Sequence, residues 1–125
     1  LRKLPICALL CLSLTAACAN GSDSGERKQP KYMPTLNVSM DIDGNRATVV
    51  VDTDMALSEA NYGGARRAGE GHIHMYLDGG EKLSMTDNRI ELVDLAAGEH
   101  TLKVSLHNND HTPYDVTQTI VFDIE

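Results

Sequence analysis

The sequence has no tryptophan, one phenylalanine and four tyrosines in 125 residues. Any core must therefore be almost wholly aliphatic. Positive charge is also scarce: 11 Lys and Arg stand against 18 Asp and Glu, a formal charge of −7. That balance argues against a phosphate-binding surface, because nucleic-acid affinity rests on clustered Lys and Arg. No long apolar run is present. The longest, Leu4 to Leu14, has eleven residues, too few to cross a hydrocarbon layer of roughly 30 Å as a helix. Cysteine is confined to Cys7, Cys11 and Cys18. No Ser or Cys nucleophile motif, phosphate loop or metalloprotease helix occurs, so no enzyme is expected. What remains is substantial, since 42% of residues are hydrophobic and 23% charged. Such a chain is not a disordered acidic tail, and its length suits one domain.

The N-terminal segment reads as an address. Arg2 and Lys3 precede the apolar stretch, and the small residues Thr15, Ala16 and Ala17 lead into Cys18, the layout of a secretory signal. Leu14-Thr15-Ala16-Ala17-Cys18 resembles the lipobox of bacterial lipoproteins, with Thr15 where the family usually has leucine. The resemblance implies a signal peptide over 1–17, lipidation at Cys18, and a domain held outside the cytoplasm on the cell membrane or outer membrane. Cys7 and Cys11 would leave with the signal. That excludes an intramolecular disulfide and a cysteine-based zinc site from the mature chain.

Ala19 to Pro34 is rich in Gly, Ser, Pro and charge without an apolar period, so 18–34 reads as a lipidated cysteine and flexible tether. A random coil of that size has a root-mean-square span of roughly 20–24 Å. The remaining domain, 35–125, has six basic residues against sixteen acidic ones, more acidic than the whole chain.

Within it the apolar period is two. Leu36, Val38, Met40 and Ile42 alternate with polar residues before the turn Asp43-Gly44-Asn45, and Ala47–Val51 follows. Further strands are expected at Ile73–Leu77, Leu83–Met85, Ile90–Leu95, Leu102–Leu106 and Val116–Ile124. About seven short strands separated by turn residues predict an all-β, immunoglobulin-like antiparallel sandwich. The only helix candidate is Met55–Asn61, opening a poorly patterned connection to Gly69 that reads as a mobile loop.

Five histidines are the chemical signal. His72 and His74 lie two apart on a strand and share a face, taken as the outer one, with Ile73 and Met75 directed to the core. In a sandwich of this type the third and sixth strands pair antiparallel, which would set His72 beside His107 and let His111 fold back over the same edge. His72, His74, His107 and His111 are thus candidate metal ligands. Asp110 is a possible ligand or orienting partner, and Met85 or Met55 a possible thioether. His100, about seven strand steps or roughly 23 Å from His107, reads as structural. Imidazoles suit copper, zinc or nickel, and a thioether would favour Cu(I). Ligation needs neutral imidazoles, so binding is expected to fade below their ordinary pKa of about 6.5. Exposed histidines also serve as plain polar cover.

Two blocks, Gly71-His72-Ile73-His74-Met75-Tyr76-Leu77-Asp78-Gly79 and Gly98 to Leu106 with Asn109-Asp110-His111-Thr112-Pro113-Tyr114, resemble small exported bacterial β-domains of uncharacterised function. Those domains carry a GHxH…DG strand and a later GxHxLxVxLxxxDHxPY strand and loop. The resemblance implies an immunoglobulin-like sandwich with a histidine-bearing edge, associated with copper-handling exported proteins. It supplies no activity, and the aromatic-rich segment some of them carry after the DG turn is missing here. The expected function is a membrane-anchored metal-binding lipoprotein acting as scavenger, buffer or donor, for copper or else zinc. The other reading is a metal-independent domain that binds proteins or glycans.

Overall fold

The computed structural model describes residues 31–125. The expected signal peptide, the lipidation site Cys18 and most of the tether lie outside the described residues. Eight strands form two sheets. The first sheet contains β1 (Asn37–Asp43), β2 (Arg46–Asp52) and β6 (Arg89–Leu92), in the order β1-β2-β6. The second runs β3 (Ala56–Leu57), β4 (Glu70–Leu77), β7 (Gly98–His107), β8 (Pro113–Ile124), with β5 (Lys82–Met85) also paired to β4. The seven expected strands are all present. The eighth, β3, is a two-residue parallel bridge to the start of β4.

β3 replaces the expected helix. The Ala56 and Ser58 amides donate to the carbonyls of Gly69 and Gly71 (2.8 and 3.1 Å), so this backbone is held across the connection rather than within a helical turn. The same bonds close the connection at its base. Tyr32 and Pro34, at the end of the expected tether, belong with the domain: Pro34 is buried, and the Tyr32 ring meets Tyr114 edge-on at 5.8 Å.

Alternation explains the core. Val38, Ala47, Val49 and Val51 of the first sheet face Ile73, Met75, Leu102, Val104 and Leu106 of the second, all buried. The Val38 amide donates to the Gln118 side chain of β8 (3.0 Å), linking the sheets. At the end opposite the histidine-rich loops, His100 is buried against Phe122, ring centroids 5.4 Å apart. Its Nδ1 meets Asp78 Oδ2 and its Nε2 meets the Ala96 carbonyl, each at 2.6 Å. Both partners accept, so the contacts favour a ring protonated on both nitrogens and raise its pKa above the ordinary value. His100 is structural, as its distance along the strand implied.

β4 and β7 pair antiparallel with His72 opposite His107 and His74 opposite Ser105. Just before this register Gly71 lies so close to β7 that a Cβ there would overlap the His107 carbonyl oxygen. Only glycine permits that approach. Gly71→Ala is expected to lower stability by about 1–3 kcal/mol, the usual cost of overpacking, measured by urea denaturation. An unchanged midpoint would show that the two strands can part there freely.

Candidate metal centre

Strand parity places His72, His74 and Tyr76 on one face of β4, opposite His107, Ser105 and Lys103 of β7. This is the face away from Ile73 and Met75, yet it is not exposed at the histidines. His72 is 0% and His74 3% accessible. The reason is the connection expected to be mobile, which folds over them. Its Gly63 amide donates to the Asn109 carbonyl (2.8 Å). Glu70 Oε1 accepts from the side-chain amides of Asn61 (2.5 Å) and Asn109 (3.0 Å). This clasp brings the Tyr62 ring to 4.6 Å from His72 and 4.8 Å from His111. Gly63, at φ +80°, packs beside the His111 ring.

The loop after β7 turns sharply. The Asn108 amide donates to the Thr112 carbonyl (2.8 Å), the His111 amide donates to the Asn108 carbonyl (2.9 Å), and His111 adopts φ 69°. This left-handed turn returns the His111 ring over β4. The Nε2 atoms of His72 and His74 are then 2.9 Å apart, and His111 Nδ1 lies 3.1 Å from His72 Nε2. One donor nitrogen from each of the three residues falls within 4.8 Å of the other two. An ion bound at 2.0–2.1 Å in tetrahedral geometry separates two imidazole nitrogens by about 3.3 Å. The two close pairs would open by a few tenths of an ångström, and the third pair, up to 4.8 Å apart, would close by up to about 1.5 Å. His72 Nδ1 is buried without a hydrogen-bond partner, so the cluster does not satisfy itself as a hydrogen-bond network.

The other sequence-selected residues have different positions. His107 stacks on His74, centroids 3.7 Å apart. Its Nδ1 donates to the His111 carbonyl (3.1 Å) and its Nε2 accepts from the Ser105 hydroxyl (2.9 Å). Both nitrogens are engaged, so His107 positions the cluster and the returning loop rather than joining the three converging donors. Asp110 accepts from the Thr112 hydroxyl (2.5 Å) and from Arg66 (2.8 Å), bonds that lower its carboxyl pKa to about 2. It pins one loop to the other. Met85 pairs with Ile73, which puts it on the core face, and Met55 is buried in the core. Neither thioether shares the histidine face. Tyr62 and Asn109 sit in loops where no periodicity marks them, and Glu70 opens β4 ahead of its alternating run.

Burial holds the His72 imidazole down at about 4, with His111 and His107 adding repulsion. His74 is held at about 3 by burial and by His107 and His72. Burial also lowers His107. His72 and His74 are therefore neutral, as ligands must be, well below the pH of 6.5 at which binding was expected to fade.

No protein-family model matches the chain, and no curated protein matches it in sequence. Two solved structures share its fold. The PKD1 domain of Vibrio anguillarum Epp is 14% identical, with a TM-score of 0.51, over 76% of this chain and 96% of that one. The PKD1 domain of the Vibrio cholerae metalloprotease PrtV is 8% identical, with a TM-score of 0.50, over 74% and 98%. At such identity the likeness establishes an immunoglobulin-like fold of the PKD type.

The histidines set the pH dependence of the metal-free protein. Because the folded pKa values of His72 and His74 lie below 6.5, the unfolded chain takes up protons first as pH falls. Stability should drop from pH 6.5 downward by about 1.4 kcal/mol per pH unit for each histidine until its folded pKa is reached. His100 has the opposite sign. Its pKa is raised by the Ala96 carbonyl and then by Asp78, so its contribution is complete below 6.5 and lost as pH rises through the folded value. Ring-proton NMR titration should find His72 and His74 neutral at pH 5.5 and His100 charged at pH 6.5. Denaturation midpoints should be lower at pH 5 than at pH 7.

Proposed function

We propose that this chain is a metal-binding module displayed outside the cytoplasm on a lipid anchor at Cys18. It would bind copper in preference to zinc and act as a scavenger, buffer or donor. One observation carries the metal reading: the convergence of one ring nitrogen from each of His72, His74 and His111 within 4.8 Å. Imidazole donors suit copper and zinc, and at equal geometry divalent copper outranks zinc in affinity. With Met85 and Met55 on the core side, the case for copper rests on the nitrogens and not on a thioether. His107 and Asp110 support the site by holding His111 and its loop.

The membrane location rests on the lipobox-like ending at Cys18 and on the apolar segment before it. Neither the PKD-type fold nor the histidines bear on it. Radiolabelled palmitate incorporation lost in Cys18→Ser tests the anchor separately.

The metal reading is tested on the tag-free full chain with its thiols alkylated, so that Cys7, Cys11 and Cys18 cannot bind. Copper or zinc at saturation should raise the thermal midpoint by several degrees, because a ligand selective for the native state stabilises it in proportion to the logarithm of its excess over Kd. His111→Ala should lower affinity at least ten-fold while leaving the metal-free midpoint nearly unchanged. No shift with either metal would sink the proposal and leave a metal-independent interaction domain as the better account.

A further inference from the structure

The three donors of the cluster differ in access. His111 is exposed, whereas His72 is 0% and His74 3% accessible. His74 is closed in between the His72 ring, 4.8 Å away, and the His107 ring at 3.7 Å. His72 lies under Tyr62, whose ring centroid is 4.6 Å from its own. An ion in solution therefore meets one ligand directly, and meets the other two only if something moves.

The cover over His72 is thin and lightly tied. Tyr62 packs on His72 and His111 and is itself 42% exposed, so on that side a single aromatic ring stands between the imidazole and water. The backbone carrying it is fixed at its base, where the Ala56 and Ser58 amides bond the Gly69 and Gly71 carbonyls. Farther out it belongs to no strand. It meets the opposite loop through the Gly63 amide on the Asn109 carbonyl, the Asn109 side chain on the Ala65 carbonyl, and Arg66 on Asp110. The last is an exposed ion pair, a type that contributes little to stability. Gly63 and Gly64 follow the ring directly and leave the backbone free to turn there. A segment firm at its base and weakly bonded at its tip is the kind that opens locally while the sheet stays folded.

We infer that the Tyr62 loop is a gate on the metal centre: an ion is met first by His111, and reaches His72 and His74 when the Tyr62 ring lifts away. This inference rests on the metal reading above. The gate governs rates rather than affinity, because the ring must move aside on the way in and on the way out alike. Binding then has two steps, an encounter at His111 and an opening of the loop. The second limits the rate once metal is in excess.

The test uses the full chain with alkylated thiols, mixed with excess Cu²⁺ in stopped flow and followed by the visible absorption of the bound ion. The wild-type rate should rise with Cu²⁺ and then level off, and release to EDTA should not depend on the EDTA concentration. Tyr62→Ala should raise the plateau rate and the release rate together, by roughly ten-fold or more, so that their ratio changes little. Tyr62→Phe should behave as wild type, since the ring and not the hydroxyl forms the cover. Arg66→Gln, at an exposed position, should also raise the plateau, and it serves if Tyr62→Ala does not fold. A wild-type rate that stays proportional to Cu²⁺ at every concentration would overturn the gate while leaving the metal site standing. An unchanged plateau in Tyr62→Ala would do the same whatever its affinity, because Tyr62 would then only brace the histidines. No uptake of Cu²⁺ by wild type would overturn the gate and the metal reading together.

Discussion

The antiparallel pairing of β4 with β7 is the constraint on which the rest depends. Gly71 sits against the His107 carbonyl where no side chain fits, and from there the register sets His72 opposite His107. Shift that register by one residue and the histidines exchange places with Ile73 and Met75. The core and the polar cluster are thus two faces of one alignment. The aliphatic side packs against the first sheet, and the imidazole side is left for two loops to cover.

Those loops supply what the sheet cannot. Each is irregular by itself, yet they are tied together: Asn109 reaches Glu70 and Ala65, Gly63 reaches Asn109, and Arg66 reaches Asp110. The result is a buried pair of imidazoles in a region that is otherwise surface. Burial makes them neutral, and neutrality makes them donors. His107 holds both the ring of His74 and the carbonyl of His111, so it links the strand-borne half of the cluster to the loop-borne half.

Much of this was legible in the sequence. The period of two gave the strands, and the pairing of third with sixth gave the approach of His72, His107 and His111. Parity alone, however, labels a face without saying what covers it, which is why His72 and His74 read as exposed. Tyr62 lies in a stretch with no period, and its approach to His72 depends on the Asn61–Glu70–Asn109 contacts. Met85 belongs to a four-residue strand whose facing is undefined until its pairing with Ile73 is known. The departure of His107 from the donor set turns on local bonds to Ser105 and His111 that residue spacing does not encode.

The contact between Tyr32 and Tyr114 has a bearing on orientation. Tyr114 follows His111 by three residues, so the polypeptide enters the domain at the end that carries the histidines. In the anchored form proposed here, thirteen steps separate Cys18 from Lys31, which even at full extension reach only about 45 Å. The anchoring segment would then join the domain beside its imidazole end.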